Sequence, residues 1–166
     1  MTIIRIIAAA ASLLILAAAP ASAQTARAAL RSTDGKDVGA VELTQTPAGV
    51  LLKVSVKGLQ PGEHAFHVHV VGKCDPPFDS AGGHFNPGGR KHGLMAPEGH
   101  HAGDMPNLYI PQSGELVVEV LNPAIPLEQA KPNSVFGPNG TAIVIHAGVD
   151  DYKTDPAMPA AVSPAA

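Results

Sequence analysis

The stretch from Gly72 to Gly103 restricts the fold more than any other part of the chain. It is rich in Gly, Pro, Asp and His, and it shows neither the period of a helix nor the alternation of a strand. An irregular segment of this length inside a small domain is usually either functional or disordered. The rest of the chain must therefore supply the regular elements that support one long loop.

Short segments of alternating apolar and polar residues on both sides of the loop predict antiparallel β-strands. The predicted strands cover residues 28–32, 38–46, 50–57, 64–71, 107–110, 115–121 and 141–146. Turn residues such as Pro47-Ala48-Gly49 separate neighbouring strands. With about seven short strands and no helical pattern, we expect an all-β fold, a Greek-key β-sandwich or flattened β-barrel with long loops.

The N-terminal residues have the features of a secretory signal peptide. Arg5 supplies a positive charge, an apolar run extends from Ile6 to Ala19, and Ala21-Ser22-Ala23 provides a cleavage motif. The alternative is a transmembrane anchor, but the run is shorter than the roughly 20 residues that cross a bilayer. We expect residues 1–23 to be removed, leaving a periplasmic or secreted protein with no membrane attachment.

Residues 24–155 are predicted to form one β-domain, because about 140 residues suffice for a single core and not for two. Residues 156–166 are nearly all Ala, Pro and Ser, and we expect them to form a disordered tail. The net charge of −3, without any basic cluster, gives no indication of nucleic-acid binding. The oligomeric state is left open, with a homodimer as one alternative.

His67 and His69 are candidate metal ligands. They lie one residue apart on a predicted strand, whose period of two points both side chains to one face, about 7 Å apart. Such a pair alone is weak evidence, since a structural role is equally compatible with it. His146 ends the apolar strand before it, and it can be either a core histidine or a ligand.

The long loop adds His84, His92 and His101, and Asp104 follows His101 by three residues. Three imidazoles and one carboxylate satisfy tetrahedral zinc. Because metal binding contributes to folding, zinc would stabilise a loop that has little apolar content. The alternative is a solvated histidine-rich loop.

Cys74 is the single cysteine of the chain, so it has no second cysteine with which to form an intramolecular disulfide. One interpretation is a buried thiol. The other is half of a disulfide whose partner cysteine has been lost.

Taken together, these motifs resemble the copper/zinc superoxide dismutase family in both order and spacing, from about Val38 to Pro156. The matching runs are Gly62 to His69, Cys74 to Pro77, Ala81 to Pro87, Lys91 to Gly93, His101 to Asp104 and Val144 to Gly148. The resemblance is to the bacterial exported type of this family. It is specific because each short motif falls where the others require it.

The resemblance implies a copper site and a zinc site that share one imidazole. The implied copper ligands are His67, His69, His84 and His146. The implied zinc ligands are His84, His92, His101 and Asp104. His84 would be catalytic, because the shared ring carries a proton in the family mechanism. Asp150 matches an outer aspartate that hydrogen-bonds two ligands, whereas His64 matches a structural histidine and His100 is expected to face solvent.

The implied activity is disproportionation of superoxide to oxygen and hydrogen peroxide. After Asp150 and Asp151 the family continues through an arginine and a cysteine to a final strand, but here no arginine follows Arg90 and no cysteine follows Cys74. We therefore expect a C-terminally truncated or divergent member that lacks its last strand and has reduced activity. The alternative hypothesis is a non-catalytic copper/zinc-binding protein, either a metal reservoir or an enzyme relic. A zinc hydrolase is disfavoured, because no ligand position would be open.

Overall fold

Three consecutive antiparallel strands are the most regular part of the fold in the computed structural model, which describes residues 23–154 and 162–165. These strands are β1 (Thr25–Ser32), β2 (Asp37–Thr46) and β3 (Gly49–Val56). Their buried and exposed side chains alternate, and on β3 Leu52 and Val54 are completely buried. The predicted strands 28–32, 38–46 and 50–57 are therefore confirmed.

Six further strands lie in the part of the chain that the structure describes. They are β4 (Gly62–His64), β5 (Phe66–His69), β6 (Leu108–Ile110), β7 (Leu116–Asn122), β8 (Ala142–Ile145) and β9 (Val162–Ala165). One sheet has the order β5-β8-β9-β1-β2-β3-β7, and β4 pairs separately with β6. Pairs that are distant in sequence, such as β3 with β7 and β5 with β8, require the long crossings of a Greek key. The predicted all-β class is confirmed.

One predicted strand, residues 64–71, is two strands in the structure. β4 pairs with β6, whereas β5 pairs with β8. Between them, Ala65 donates its N–H to the carbonyl of Gly148 at 2.8 Å and accepts from the N–H of His146 at 2.9 Å. The chain changes sheets at Ala65, and this change is set by the distant strands β6 and β8, which the sequence near Ala65 does not identify.

Strand β9 contradicts the prediction that the last strand is missing. It pairs with β1, where Leu30 lies opposite Pro164, and with β8, where Ile145 lies opposite Val162. The prediction of a disordered tail is therefore wrong for Val162–Ala165, while the rest of that tail lies outside the described residues. Composition misled here, because a strand between β1 and β8 is held by backbone N–H and C=O groups and does not need large apolar side chains.

The core is formed mainly by the strands, with a few apolar residues from the connections, among them Met105, Ile125 and Leu127. The long loop contains one short 3-10 turn, Asp79–Ala81, and no strand of its own. Within the described part of the chain, no helix has the length and apolar character that crossing a membrane requires. The predicted signal peptide falls outside that part except for Ala23.

Candidate metal centre

Strands β5 and β8 position three histidines. The rings of His67 and His69 on β5 are 6.4 Å apart, and both residues are fully buried. Because β8 pairs with β5 and ends at Ile145, His146 follows beside them. The ring of His146 lies 5.1 Å from that of His67, and its Nε2 lies 3.3 Å from His69 Nε2. Pairing of two short strands thus brings together ligands from distant parts of the sequence.

The long loop folds back along the outer edge of β5. One isolated bridge joins His69 to His84, and a second joins His67 to Asp104. Gly103 lies so close that a Cβ on it would stand 2.4 Å from a backbone carbonyl oxygen of β5. A residue without a side chain is therefore required immediately before Asp104.

Four loop side chains converge on a single point: His84, His92, His101 and Asp104. His84 Nδ1 is 3.2 Å from His92 Nδ1 and 3.4 Å from His101 Nδ1. Asp104 Oδ1 is 3.2 Å from His92 Nδ1 and 3.4 Å from the Nδ1 atoms of the other two histidines. Ligands about 2.0–2.1 Å from a tetrahedral zinc ion stand about 3.3 Å from one another. These atoms already have the spacing of a zinc tetrahedron.

His84 lies between two groups of side chains. Its ring centroid is 4.1 Å from that of His67 on one side, and 4.9 Å from His92 and 5.5 Å from His101 on the other. A group whose ligand atoms all lie within 4.8 Å of one another consists of His67, His69, His84 and His146. Because an imidazole has two nitrogens, His84 can contribute one to this group and its Nδ1 to the tetrahedron.

His67 also lies close to three of the four ligands of the tetrahedron. Its ligand atom and those of His84, His92 and Asp104 all lie within 4.8 Å of one another. The three short distances from Asp104 Oδ1, however, are to the Nδ1 atoms of His84, His92 and His101. On this shorter scale His101 completes the tetrahedron, and His67 belongs with the all-histidine group.

Hydrogen bonds from the ligand rings to groups around them determine which nitrogen of each ring can bind a metal. The carboxylate of Asp150 accepts from His67 Nε2 at 2.9 Å and from His92 Nε2 at 3.1 Å. The carbonyl of Gly82 accepts from His69 Nδ1 at 2.7 Å. A neutral imidazole carries its one proton on the donating nitrogen. His67 and His92 therefore present an Nδ1 lone pair inward, and His69 presents Nε2.

Two buried atoms have no hydrogen-bond partner among the described residues: His67 Nδ1 and Asp104 Oδ1. Such an atom costs about 1–3 kcal/mol, so its presence in a native site calls for an explanation. His67 Nδ1 lies in the all-histidine group and Asp104 Oδ1 in the tetrahedron. These residues fit copper held by four imidazoles and zinc held by three imidazoles and a carboxylate.

Burial favours the neutral form of the histidines in the all-histidine group. Removal from water lowers the pKa of His67 and of His69 to about 4 and that of His146 to about 3. For Asp104, burial raises the pKa, but the nearby His84 ring and a hydrogen bond from the Gly93 N–H to Oδ2 outweigh it, so the pKa lies below its ordinary value. Neutral imidazoles and an ionised carboxylate are the protonation states that bind metals.

Three other residues that the sequence singled out lie outside both groups. His64 Nδ1 is 2.7 Å from the carbonyl of His146, as a structural histidine would be. His100 is half-buried and belongs to neither group, and its Nδ1 donates to the carbonyl of His101 at 2.7 Å. Cys74 is half-buried and packs beside the small apolar cluster that contains Ala81.

Asn107 and Tyr152 contact Asp150 and were not predicted as site residues. Asn107 Nδ2 donates to the carbonyl of Asp150 at 2.9 Å, and the N–H of Tyr152 donates to the Asp150 carboxylate at 2.7 Å. A lone asparagine and a lone tyrosine form no pattern in a sequence. Only their position, three residues after Asp104 and two after Asp150, could have drawn attention to them.

Comparisons with known proteins agree with this geometry. A family model described as copper/zinc superoxide dismutase matches residues 38–165. Superoxide dismutase [Cu-Zn] 2 of Aquifex aeolicus is 53% identical over 148 residues, covering 88% of this chain and 86% of the relative. Superoxide dismutase [Cu-Zn] of Caulobacter vibrioides is 45% identical over 136 residues, covering 80% of this chain and 78% of the relative.

Solved structures of similar proteins superpose on this chain over most of its length. A superoxide dismutase-like protein from Bacillus subtilis superposes with a TM-score of 0.80 at 34% identity, over 84% of this chain and 96% of that one. The Cu/Zn superoxide dismutase from Brucella abortus superposes with a TM-score of 0.69 at 27% identity, over 86% of this chain and all of that one.

Proposed function

The chain belongs to the copper/zinc superoxide dismutase family, and from that premise we propose that it converts superoxide to oxygen and hydrogen peroxide with copper and zinc as cofactors. Two superoxide ions and two protons give one molecule of each product, so one superoxide is oxidised and the other is reduced. The site must therefore exchange single electrons and deliver protons.

One observation carries the proposal: six buried or nearly buried histidines and one aspartate form two adjoining groups that share the ring of His84. We assign copper to His67, His69, His84 and His146, and zinc to His84, His92, His101 and Asp104. A structural zinc site alone would not need the all-histidine group. That group suits a copper ion with a position left for an exchangeable ligand.

Copper supplies the one-electron exchange when it is bound, and zinc cannot because it has no redox chemistry. His84 holds its Nδ1 in the tetrahedron, so we propose that its Nε2 takes up a proton and passes it to the reduced substrate. Asp150 keeps the rings of His67 and His92 oriented through their Nε2 atoms. The depressed pKa values of His67 and His69 keep these rings unprotonated at neutral pH.

The absence of an arginine after Arg90 affects how fast the substrate arrives. In charged clefts, a local positive potential can raise the encounter rate of an anion by about 10- to 1,000-fold. We propose that this chain turns over superoxide more slowly than relatives that have the arginine, and with a weaker dependence on ionic strength. The residues that would perform the chemistry are unaffected by this loss.

Pulse radiolysis of the mature chain, loaded with copper and zinc, tests the activity. We expect a second-order rate constant for superoxide decay well above that of the same concentration of free aqueous copper. A rate no better than free copper would reject the enzyme in favour of the non-catalytic metal-binding alternative. The matched control is the same chain loaded with zinc alone, which should leave superoxide decay at its spontaneous rate.

We also propose that the protein is exported to the periplasm or secreted after cleavage behind Ala23, because residues 1–23 have the three regions of a signal peptide. Mass spectrometry of protein recovered from a periplasmic fraction should find Gln24 as the first residue. Recovery of a chain that still begins at Met1, in the cytoplasm, would contradict this proposal.

A homodimer is a further proposal. Tyr109 on β6 and Leu121 on β7 line one shallow groove and are 68% and 47% exposed, which is unusual for large apolar side chains near each other. Light scattering of the purified mature chain should give twice the mass of the monomer. Leu121→Lys should restore the monomer mass if this groove is the interface, and a monomeric wild type would rule the dimer out.

A further inference from the structure

A polar network around Asp150 extends beyond the predicted ligands. We propose that Asn107 and Tyr152 are positioning residues: together they hold Asp150 so that its carboxylate can orient one histidine of each metal. We call this pair the Asn107–Tyr152 clamp. The inference rests on the proposed copper and zinc centre and adds to it two residues that are not among its predicted ligands.

Asn107 ties the zinc-ligand segment to the segment that carries Asp150. Its side-chain Nδ2 donates to the Asp150 carbonyl at 2.9 Å, and its Oδ1 accepts from the Asp150 N–H at 3.0 Å. The two bonds hold both sides of the same residue's backbone. Because Asn107 follows Asp104 by three residues, displacement of one segment would be transmitted to the other.

Tyr152 is held at both ends. Its hydroxyl accepts from the backbone N–H of Asn107 at 2.9 Å. Its carbonyl accepts from the Met95 N–H at 3.1 Å, and it lies against Gly93, where a Cβ would stand only 1.9 Å from the carbonyl oxygen. The glycine next to His92 therefore leaves space for the backbone of Tyr152.

The backbone of Tyr152 has an unfavourable conformation that these contacts must maintain. Its φ of 63° lies in the left-handed region, which costs a residue with a side chain roughly 1–2 kcal/mol. Such a conformation persists only when its surroundings impose it. Here it directs the Tyr152 N–H to Asp150 Oδ1 at 2.7 Å, the same oxygen that accepts from His92.

The clamp therefore acts on the metals through Asp150. If it were loosened, the Asp150 carboxylate could turn away from the Nε2 atoms of His67 and His92. Loss of an outer hydrogen-bond partner of this kind typically lowers metal affinity by about 10- to 100-fold. Asn107 and Tyr152 act only through Asp150, so loss of either should lower metal affinity by less, and only while Asp150 is present.

Tyr152→Phe tests the proposal, because it removes one hydroxyl and keeps the ring. Tyr109→Phe is the matched control: it is the only other tyrosine of the chain, and its side chain is exposed on β6. We expect zinc affinity, measured by competition with a chromophoric chelator, to fall about three- to ten-fold for Tyr152→Phe. Tyr109→Phe should bind zinc as the wild type does.

The same comparison in an Asp150→Asn background separates positioning from a general structural role. If the clamp works through Asp150, Tyr152→Phe should cause no further loss of zinc affinity there. A loss of the same size in both backgrounds would overturn the proposal. So would a Tyr152→Phe variant whose metal-free form melts at a lower temperature while its zinc affinity is unchanged.

The wild type keeps this test separate from the proposed function. A wild-type chain that bound no zinc would remove the metal centre itself, and the clamp with it. A wild type that binds zinc and dismutates superoxide, beside a Tyr152→Phe variant of equal zinc affinity, would remove the clamp alone.

Discussion

The sheet formed by β1, β2, β3 and β7 and the loop that carries the metal ligands are stabilised by different interactions. On β3, apolar side chains such as Leu52 and Val54 are fully buried, and the strand pairs along its whole length with β2 and with β7. The loop buries a few apolar side chains, such as Phe78, but at the site its buried side chains are polar: His92 lies 3.2 Å from Asp104, the residue that follows the loop. The sheet is stabilised by burial of apolar surface, whereas the metal centre buries polar atoms, of which His67 Nδ1 and Asp104 Oδ1 have no hydrogen-bond partner among the described residues.

The largest effect is expected at His84, where the two metal groups meet. His84→Ala removes one ligand from each group, so zinc affinity should fall by more than the about 100-fold typical for loss of an outer partner. The copper spectrum should change as well. Metal analysis after dialysis against a chelator, with absorption and EPR spectra, would measure both effects.

His100→Ala is the matched control for His84→Ala, because His100 lies in the same loop and outside both groups. It should keep both metals. Unchanged zinc content and an unchanged copper spectrum in His84→Ala would show that the ligand assignment is wrong.

Acid should lower the stability of the protein through the metal centre and not through the apolar core, because every titratable residue that is fully buried among the described residues lies at or beside the site. Burial lowers the pKa of His67 and His69 to about 4 and that of His146 to about 3, from an ordinary value near 6.5. Between these values the unfolded chain binds more protons than the folded one. The stability of the metal-free protein should therefore fall as the pH drops from 6.5 to 4.

Urea unfolding of the metal-free protein at pH 7 and pH 5 would measure this loss, which we expect to be on the order of a few kcal/mol. The zinc- and copper-loaded protein should keep its stability over the same range until the metals dissociate. Equal unfolding free energies of the metal-free protein at the two pH values would contradict the assignment of these histidines as buried and neutral.

Leu52→Ala tests the other half of the comparison, because it weakens the packing of the sheet and changes no residue of the loop. Leu52 is fully buried on β3, an interior strand between β2 and β7, so the substitution should cost about 2–5 kcal/mol of unfolding free energy. The zinc affinity of the folded protein should stay within about two-fold of the wild type, because the strand partners of Leu52 are Leu43 and Val120 and neither is a predicted ligand. A large fall in zinc affinity would mean that the loop geometry depends on the packing of the sheet.

The same contrast explains what the sequence could predict. Strands β2 and β3 were predicted to within one residue at each end, since alternation is a local property. The change of partner at Ala65 and the pairing of β9 depend on distant strands, and neither leaves a local pattern. Sequence patterns therefore predicted the sheet better than the way its strands connect.

At the site, the spacing of histidines identified candidate ligands, and the family resemblance assigned them to two metals. The sequence could not tell which nitrogen of each ring points inward. That choice depends on acceptors such as the Gly82 carbonyl and the Asp150 carboxylate, which approach only after folding. Asn107 and Tyr152 were missed for the same reason, because their contacts with Asp150 exist only in three dimensions.

The smallest effect is expected on the outer face of β7. Val117 is 69% exposed there, whereas its alternating neighbours Leu116 and Val118 pack against the core. Val117→Thr should therefore change the unfolding free energy by less than about 0.5 kcal/mol, as measured by urea unfolding. A loss above about 1 kcal/mol, combined with a dependence of stability on protein concentration, would mean that the dimer interface proposed at Tyr109 and Leu121 extends along the outer face of β7 to Val117. Part of the sheet would then be stabilised by association with a second copy of the chain and not by its own core.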